Sequence, residues 1–177
     1  QSIGILQSMR IQQAAGLNGN RYATFHQLGK EQAQKLHEDD RLYDVGDTIF
    51  IGSTPLGNSS LSLYLREYHD NALSMYPAIG NVKEGRLPEE AIEIALSEDA
   101  LQYLGLDAVI GDTVSLDLSV SVMDGSLSEL EYSADFVLTG ILESSYIGYA
   151  SGTVEGIVGE GTAEEVLPEE YLLYSTD

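Results

Sequence analysis

The sequence predicts an α+β domain, on three observations. Thr113 to Val122 alternates polar and apolar residues without a break, the pattern of a half-buried strand. Ser97 to Leu104 reads as a two-turn helix with both ends marked. Gln1 to Ala15 places Ile3, Ile5, Leu6 and Met9 largely at three- and four-residue spacings, a helical period.

The cluster Gly16 to Asn20 stops the first helix, and Arg21 to Phe25 is a candidate short strand. Lys30 to His37 reads as a helix with Ala33 and Leu36 inward. Arg41 to Ser53 is strand-like around Thr48, Ile49, Phe50 and Ile51, and Leu61, Leu63 and Leu65 alternate with polar neighbours in a further strand. Asp70 to Tyr76 reads as one or two helical turns stopped by Pro77.

Glu93 to Leu96 forms a short strand that runs into the marked helix. Ser97 is its N-cap, Glu98 and Asp99 complement the positive end of the helix dipole, and Gly105 is the left-handed residue past its end. Gly111 and Asp112 turn the chain into the alternating strand. That strand pairs with Tyr132 to Leu138 as a long hairpin, its tip near Met123 to Ser126 and its second strand ending near Leu142. Gly148 to Thr162, with five glycines, reads as a surface loop of weak local order, and Tyr171 to Tyr174 as a last strand.

The chain has 177 residues, 43% of them hydrophobic, enough for one ordered domain or two small lobes. Eight basic residues against 29 acidic give a net charge of −21, which repels nucleic acid and anionic lipid. The absence of cysteine excludes a disulfide scaffold, a thiolate metal site and a cysteine nucleophile, and fits the outer face of a single-membrane bacterium. No apolar run reaches membrane-spanning length.

Catalytic motifs are not found in the sequence. There is no G-x-S-x-G, phosphate-loop or H-E-x-x-H pattern, and Gly156 to Gly161 lacks the lysine and the strand-to-helix context of a phosphate loop. His37 lies close to Asp39 and Asp40 and is read as a surface helix end, while His26 and His69 stand apart. Asp44 and Asp47 lack calcium-loop spacing, and the paired glutamates lack the tryptophan that sugar-cleaving clefts use. The reading is of a non-enzyme with no catalytic, cofactor-binding or metal-ligating residue.

One ordered series remains: Gly85-Arg86-Leu87-Pro88, Glu93-Ile94-Ala95-Leu96-Ser97, Leu104-Gly105, Gly111-Asp112-Thr113-Val114, then Val137-Leu138-Thr139-Gly140-Ile141. Gly85, Arg86, Pro88, Gly105, Gly111 and Asp112 carry it as structural residues, with Arg86 expected in an ion pair. The series resembles the extracytoplasmic domain of FtsX/MacB-type ABC transporter permeases of Gram-positive bacteria, most firmly over Glu84 to Leu142. The resemblance implies a MacB-like periplasmic core of two lobes, with mixed or antiparallel sheets, short helices and residues 1–15 as a stalk continuing a membrane helix. Residues 16–177 would then be the extracellular domain, with its C-terminal part cut short. The family implies a domain held at the cell membrane, working as a permease dimer with a cytoplasmic ATPase and coupling ATP hydrolysis there to export, extraction or mechanotransmission. An extracellular peptide, lipoprotein or cell-wall protein would be its outer partner. The alternatives are a sensor of cationic antimicrobial peptide, a wall-polymer enzyme, or an unrelated secreted surface-binding domain.

Overall fold

The computed structural model describes residues 25–39, 46–70, 73, 81–124, 126–144, 152–172 and 174–176. Nine strands occur among them: β1 (Phe25–Leu28), β2 (Gly46–Pro55), β3 (Ser62–Asp70), β4 (Val82–Gly85), β5 (Glu93–Ser97), β6 (Thr113–Asp124), β7 (Ser126–Leu142), β8 (Thr153–Val158) and β9 (Tyr174–Thr176). Three helices accompany them: α1 (Lys30–His37), α2 (Glu98–Tyr103) and α3 (Thr162–Val166). A 3-10 turn covers Glu169–Tyr171.

The strands form a single sheet in the order β1-β9-β2-β3-β8-β5-β7-β4, and β6 joins β7 back to β2. The ring β2-β3-β8-β5-β7-β6 is therefore a closed six-stranded barrel. Two of its pairings, β3 with β8 and β5 with β7, are parallel, and the others are antiparallel. Closure pairs the barrel strands on both sides and leaves the short strands β1 and β4, four residues each, at the ends of the sheet.

The expected α+β, MacB-like core of two lobes is corrected by this barrel. The physical reason lies in the stretch read as a glycine-rich surface loop. Thr153 to Val158 is instead β8, hydrogen-bonded to β3 on one side and β5 on the other, so strands that could have formed separate lobes share one core. The helices are too small to found a lobe: α1 fully buries only Ala33, α2 only Ala100 and Leu101, and α3 only Thr162 and Ala163. The final strand also moves. Tyr171 closes a 3-10 turn, and β9 begins at Tyr174. The expected stalk helix at residues 1–15 lies outside the described residues, as does most of Asp70 to Tyr76; of the strand expected at Arg21 to Phe25, only Phe25 is described, in β1.

The barrel interior is filled by inward residues such as Ile51, Leu63, Leu65, Leu96, Leu118 and Phe136, all 2% exposed or less. On β6, Val114, Leu116, Leu118, Val120 and Val122 are buried, at 1–9% exposure, as strict alternation requires. The hairpin with β7 is in continuous register from Thr113↔Val137 to Asp124↔Ser126. The seam between β2 and β6 is thin, with the single register pair Ser53↔Ser119. A register shift in β2 between Phe50 and Gly52 bends the strand here. Gly52 then lets β6 approach, since a Cβ there would sit 3.0 Å from Leu118 Cβ and 3.2 Å from Ser119 O. The Tyr132 hydroxyl donates to Ile51 O beside the same bend.

Candidate polar site at the barrel mouth

One end of this apolar barrel is polar. The inward face of β3 continues from Leu63 and Leu65 to Glu67 and His69 by the same period of two. Asp47 is the cross-strand partner of His69 on β2, and Ile49 is the partner of Glu67. The chain leaves β8 at Val158, beside Glu67, and α3 closes over this end. From α1, the last helical residue His37 reaches the mouth.

Two histidine–carboxylate pairs result. His37 Nε2 lies 2.8 Å from Asp47 Oδ2, and His69 Nε2 bonds Glu67 Oε2. Glu67 Oε1 also accepts from Ala163 N at 2.8 Å, a bond to a first-turn amide of α3. The Glu67 side chain is only 1% exposed and that of Asp47 12%, whereas the two histidine side chains are about one-third exposed. Two carboxylates are thus withdrawn from water with imidazoles on their solvent side, which is how a buried carboxylate is made tolerable. The hydrogen bond to Glu67 raises the His69 pKa above 6.5, against the lowering effect of burial; the charges of Glu67, Glu160 and Asp47 add to the rise. Burial raises the pKa of Tyr174 on β9, and the nearby charges of Glu164, Glu67 and Asp47 raise it further. No three of the described His, Asp and Glu residues converge as metal ligands.

The residues singled out from sequence gather elsewhere, around β7. Arg86 N donates to Thr139 O at 2.9 Å, and Thr139 Oγ1 donates back to Arg86 O at 3.3 Å. Gly85 adopts φ +79°, and a Cβ there would fall 2.3 Å from Thr139 O, so glycine is required on both counts. Arg86 grips Glu93 with both arms, at 3.0 and 2.6 Å. Glu93 Oε1 also accepts from Glu89 N and Glu90 N at 3.0 and 2.9 Å, and Pro88 sits in that loop. Together these hold the Glu93 carboxyl down to about 2, Arg86 being the largest cause. Next to β4 along the same edge of β7, Gly111 N donates to Leu138 O and Leu138 N to Asp112 O; Asp112 Oδ2 accepts from Val109 N at 3.1 Å. Ser97 Oγ caps α2 by accepting from Ala100 N, and Gly105 follows the Leu104 C-cap.

Ile92 links this joint to the mouth. It holds φ +63°, a strained value for a β-branched residue. Its N–H donates to Thr162 Oγ1 at 2.9 Å and its carbonyl accepts from Val137 N at 2.9 Å, so two elements hold the strained conformation in place.

A second polar place lies on the outer wall over the β2–β6 seam. Phe50, Ser53, Tyr64, Arg66, Ser119 and Ser121 line an open cavity of about 300 Å³. Arg66 stacks over the Phe50 ring at 5.9 Å and lies 3.8 Å from Glu155, whose carboxyl burial pushes up in pKa.

The sequence sets His37 beside Asp39 and Asp40 and does not connect His69 to it; the structure brings His37, Asp47, Glu67 and His69 to one mouth. A signal for this is present in the sequence. Extending the β3 alternation two steps past Leu65 puts Glu67 and His69 on the buried face, and a buried Glu demands a partner. The contribution of Asp47 depends on strand register, which has no local signature. A comparison with protein-family models and with curated protein sequences matched none of them.

Proposed function

We propose that this chain is the extracellular, non-catalytic domain of an ABC transporter permease of the FtsX/MacB type. ATP hydrolysis then belongs to a separate cytoplasmic subunit, and this domain transmits or receives force at the outer membrane face. The reading rests on the motif series and not on the barrel, since fold alone does not select a function. The observation that carries it is where the series lands. Gly85, Arg86, Glu93, Gly111, Asp112, Thr139 and Gly140 are all used up in fixing β4, β5 and β6 onto β7. A shared motif spent on a rigid joint suits a mechanical module, whereas a motif kept for chemistry would present its polar groups to a cleft. The acidic surface agrees with this place in the cell: Lys30, Arg66, Lys83 and Arg86 each lie within 4.0 Å of a carboxylate, so the excess charge is negative.

The test uses the full-length protein in its own cells. Single cysteines at the exposed positions Ser128 and Glu143 should react with a membrane-impermeant maleimide before lysis, above the background of the unsubstituted chain. An ATPase subunit should copurify with the full-length protein. Labelling only after lysis, or purification free of any ATPase, overturns the reading.

A further inference from the structure

We propose that the open edge of β7, from Leu127 to Asp135, takes a basic segment of a partner protein as an added strand.

The edge follows from where β7 finds its neighbours. β6 pairs with it from Ser126 to Val137, but β5 joins its other side only at Val137, opposite Glu93. Among the described residues, the first part of β7 is thus paired on one side only. Backbone alternation tells which groups are left over. Val137 N donates to Ile92 O on the β5 side, whereas Leu138 bonds Gly111 and Asp112 on the β6 side. The register with β6 is unbroken back to Ser126. Leu127, Glu129, Glu131, Ser133 and Asp135 therefore turn their N–H and C=O groups to the β5 side, where no strand stands among the described residues. Such a row of main-chain groups is a template for another strand.

The side chains of the same residues select the occupant. Glu129, Glu131, Ser133 and Asp135 are exposed, as is Asp117 beside them on β6. No Lys, Arg or His occurs between Thr113 and Leu142. Ser115 and Ser133 donate to Asp135 and Asp117 at 2.5 Å, and these neutral donors leave the negative charge in place. The edge carries no proline and no bulge, the usual devices against strand addition. Its one protection is charge of a single sign. That protection works against a second copy, whose acids would face these acids in a chain at −21. It works in reverse for a basic strand, which would set Lys or Arg opposite Glu129 and Glu131. On the other face of the edge, Leu130, Tyr132 and Ala134 are half-buried against the core. The fitting segment alternates basic and apolar residues.

A fluorescein-labelled peptide of four Lys-Val repeats serves as the probe, with binding read by anisotropy and by amide NMR spectra of the folded chain. It should bind, and the amide protons of Leu127, Glu129, Glu131 and Ser133 should move downfield as they gain hydrogen bonds. Those of Leu130 and Tyr132, already directed at β6, should move less. A peptide of four Lys-Pro repeats has the same charge but no amide donor at every second position, and it should bind roughly tenfold more weakly or worse. Glu129→Gln and Glu131→Gln, both at exposed positions, should each weaken the Lys-Val peptide by roughly threefold, the worth of one exposed ion pair. Equal binding of the two peptides would mean charge attraction alone. That result, no binding of the Lys-Val peptide, shifts centred away from β7, or dimerisation of the chain through this edge in sedimentation overturns the proposal.

Discussion

Glu93 shows how much one side chain can organise. It collects both arms of Arg86 and two backbone N–H groups, and it is the first residue of the E-I-A-L-S strand, directly after the strained Ile92. Because its carboxyl is held down to about 2, its contribution to stability is present above the ordinary value of 4.5 and is lost as pH falls from there toward 2. Glu93→Gln should therefore lower the thermal midpoint by about 5 °C at pH 6. The gap to wild type should close as pH approaches 2. A gap of constant size in circular-dichroism melts from pH 6 to pH 2 would contradict this account. The Arg86–Glu93 pair spans seven residues, and both partners are visible in the motif. Which acid among Glu84, Glu89, Glu90 and Glu93 Arg86 chooses is not visible there, because all are within reach of a flexible arginine.

Elements are legible in proportion to how local their signals are. Helix α2 is specified by Ser97, Glu98, Asp99 and Gly105 within nine residues, and it forms where those caps place it. The β6–β7 hairpin is likewise specified by alternation and a tight turn. Strand β8 is not legible. Val154, Gly156, Ile157 and Val158 are buried while Glu155 is half-buried, so the alternation that marks a one-faced strand is missing. Its glycine is structural: a Cβ on Gly156 would meet Leu65 Cδ2 at 2.5 Å and Leu96 Cδ2 at 2.9 Å inside the barrel. Amides of Val154 to Val158 should accordingly exchange as slowly as those of β7, through global unfolding. Exchange of these amides within seconds at neutral pH would return the segment to the loop that its glycine content suggests.

At the scale of the molecule, the main core, which fills the barrel, should respond as a unit. Leu65 is fully buried at its centre, and Leu65→Ala should cost about 2–5 kcal/mol in urea unfolding, monitored by fluorescence and circular dichroism together. Leu127, 67% exposed beside the hairpin tip, should cost no more than about 0.5 kcal/mol as alanine. Both probes should report a single transition for each protein. Two separated transitions would mean two cores, as a two-lobed domain has.

Local sequence alone settles the helices with marked caps, the long hairpin, the acidic character and the residues of the β7 joint. Each of these is set by neighbours a few residues apart or by composition. The closed barrel, the burial of β8 and the polar mouth depend on tertiary packing. Closure requires β2 to meet β6 at Ser53 and Ser119, and the mouth requires Asp47 to stand opposite His69. Those are choices of register between distant strands, and register is set by how a whole set of side chains packs into one core.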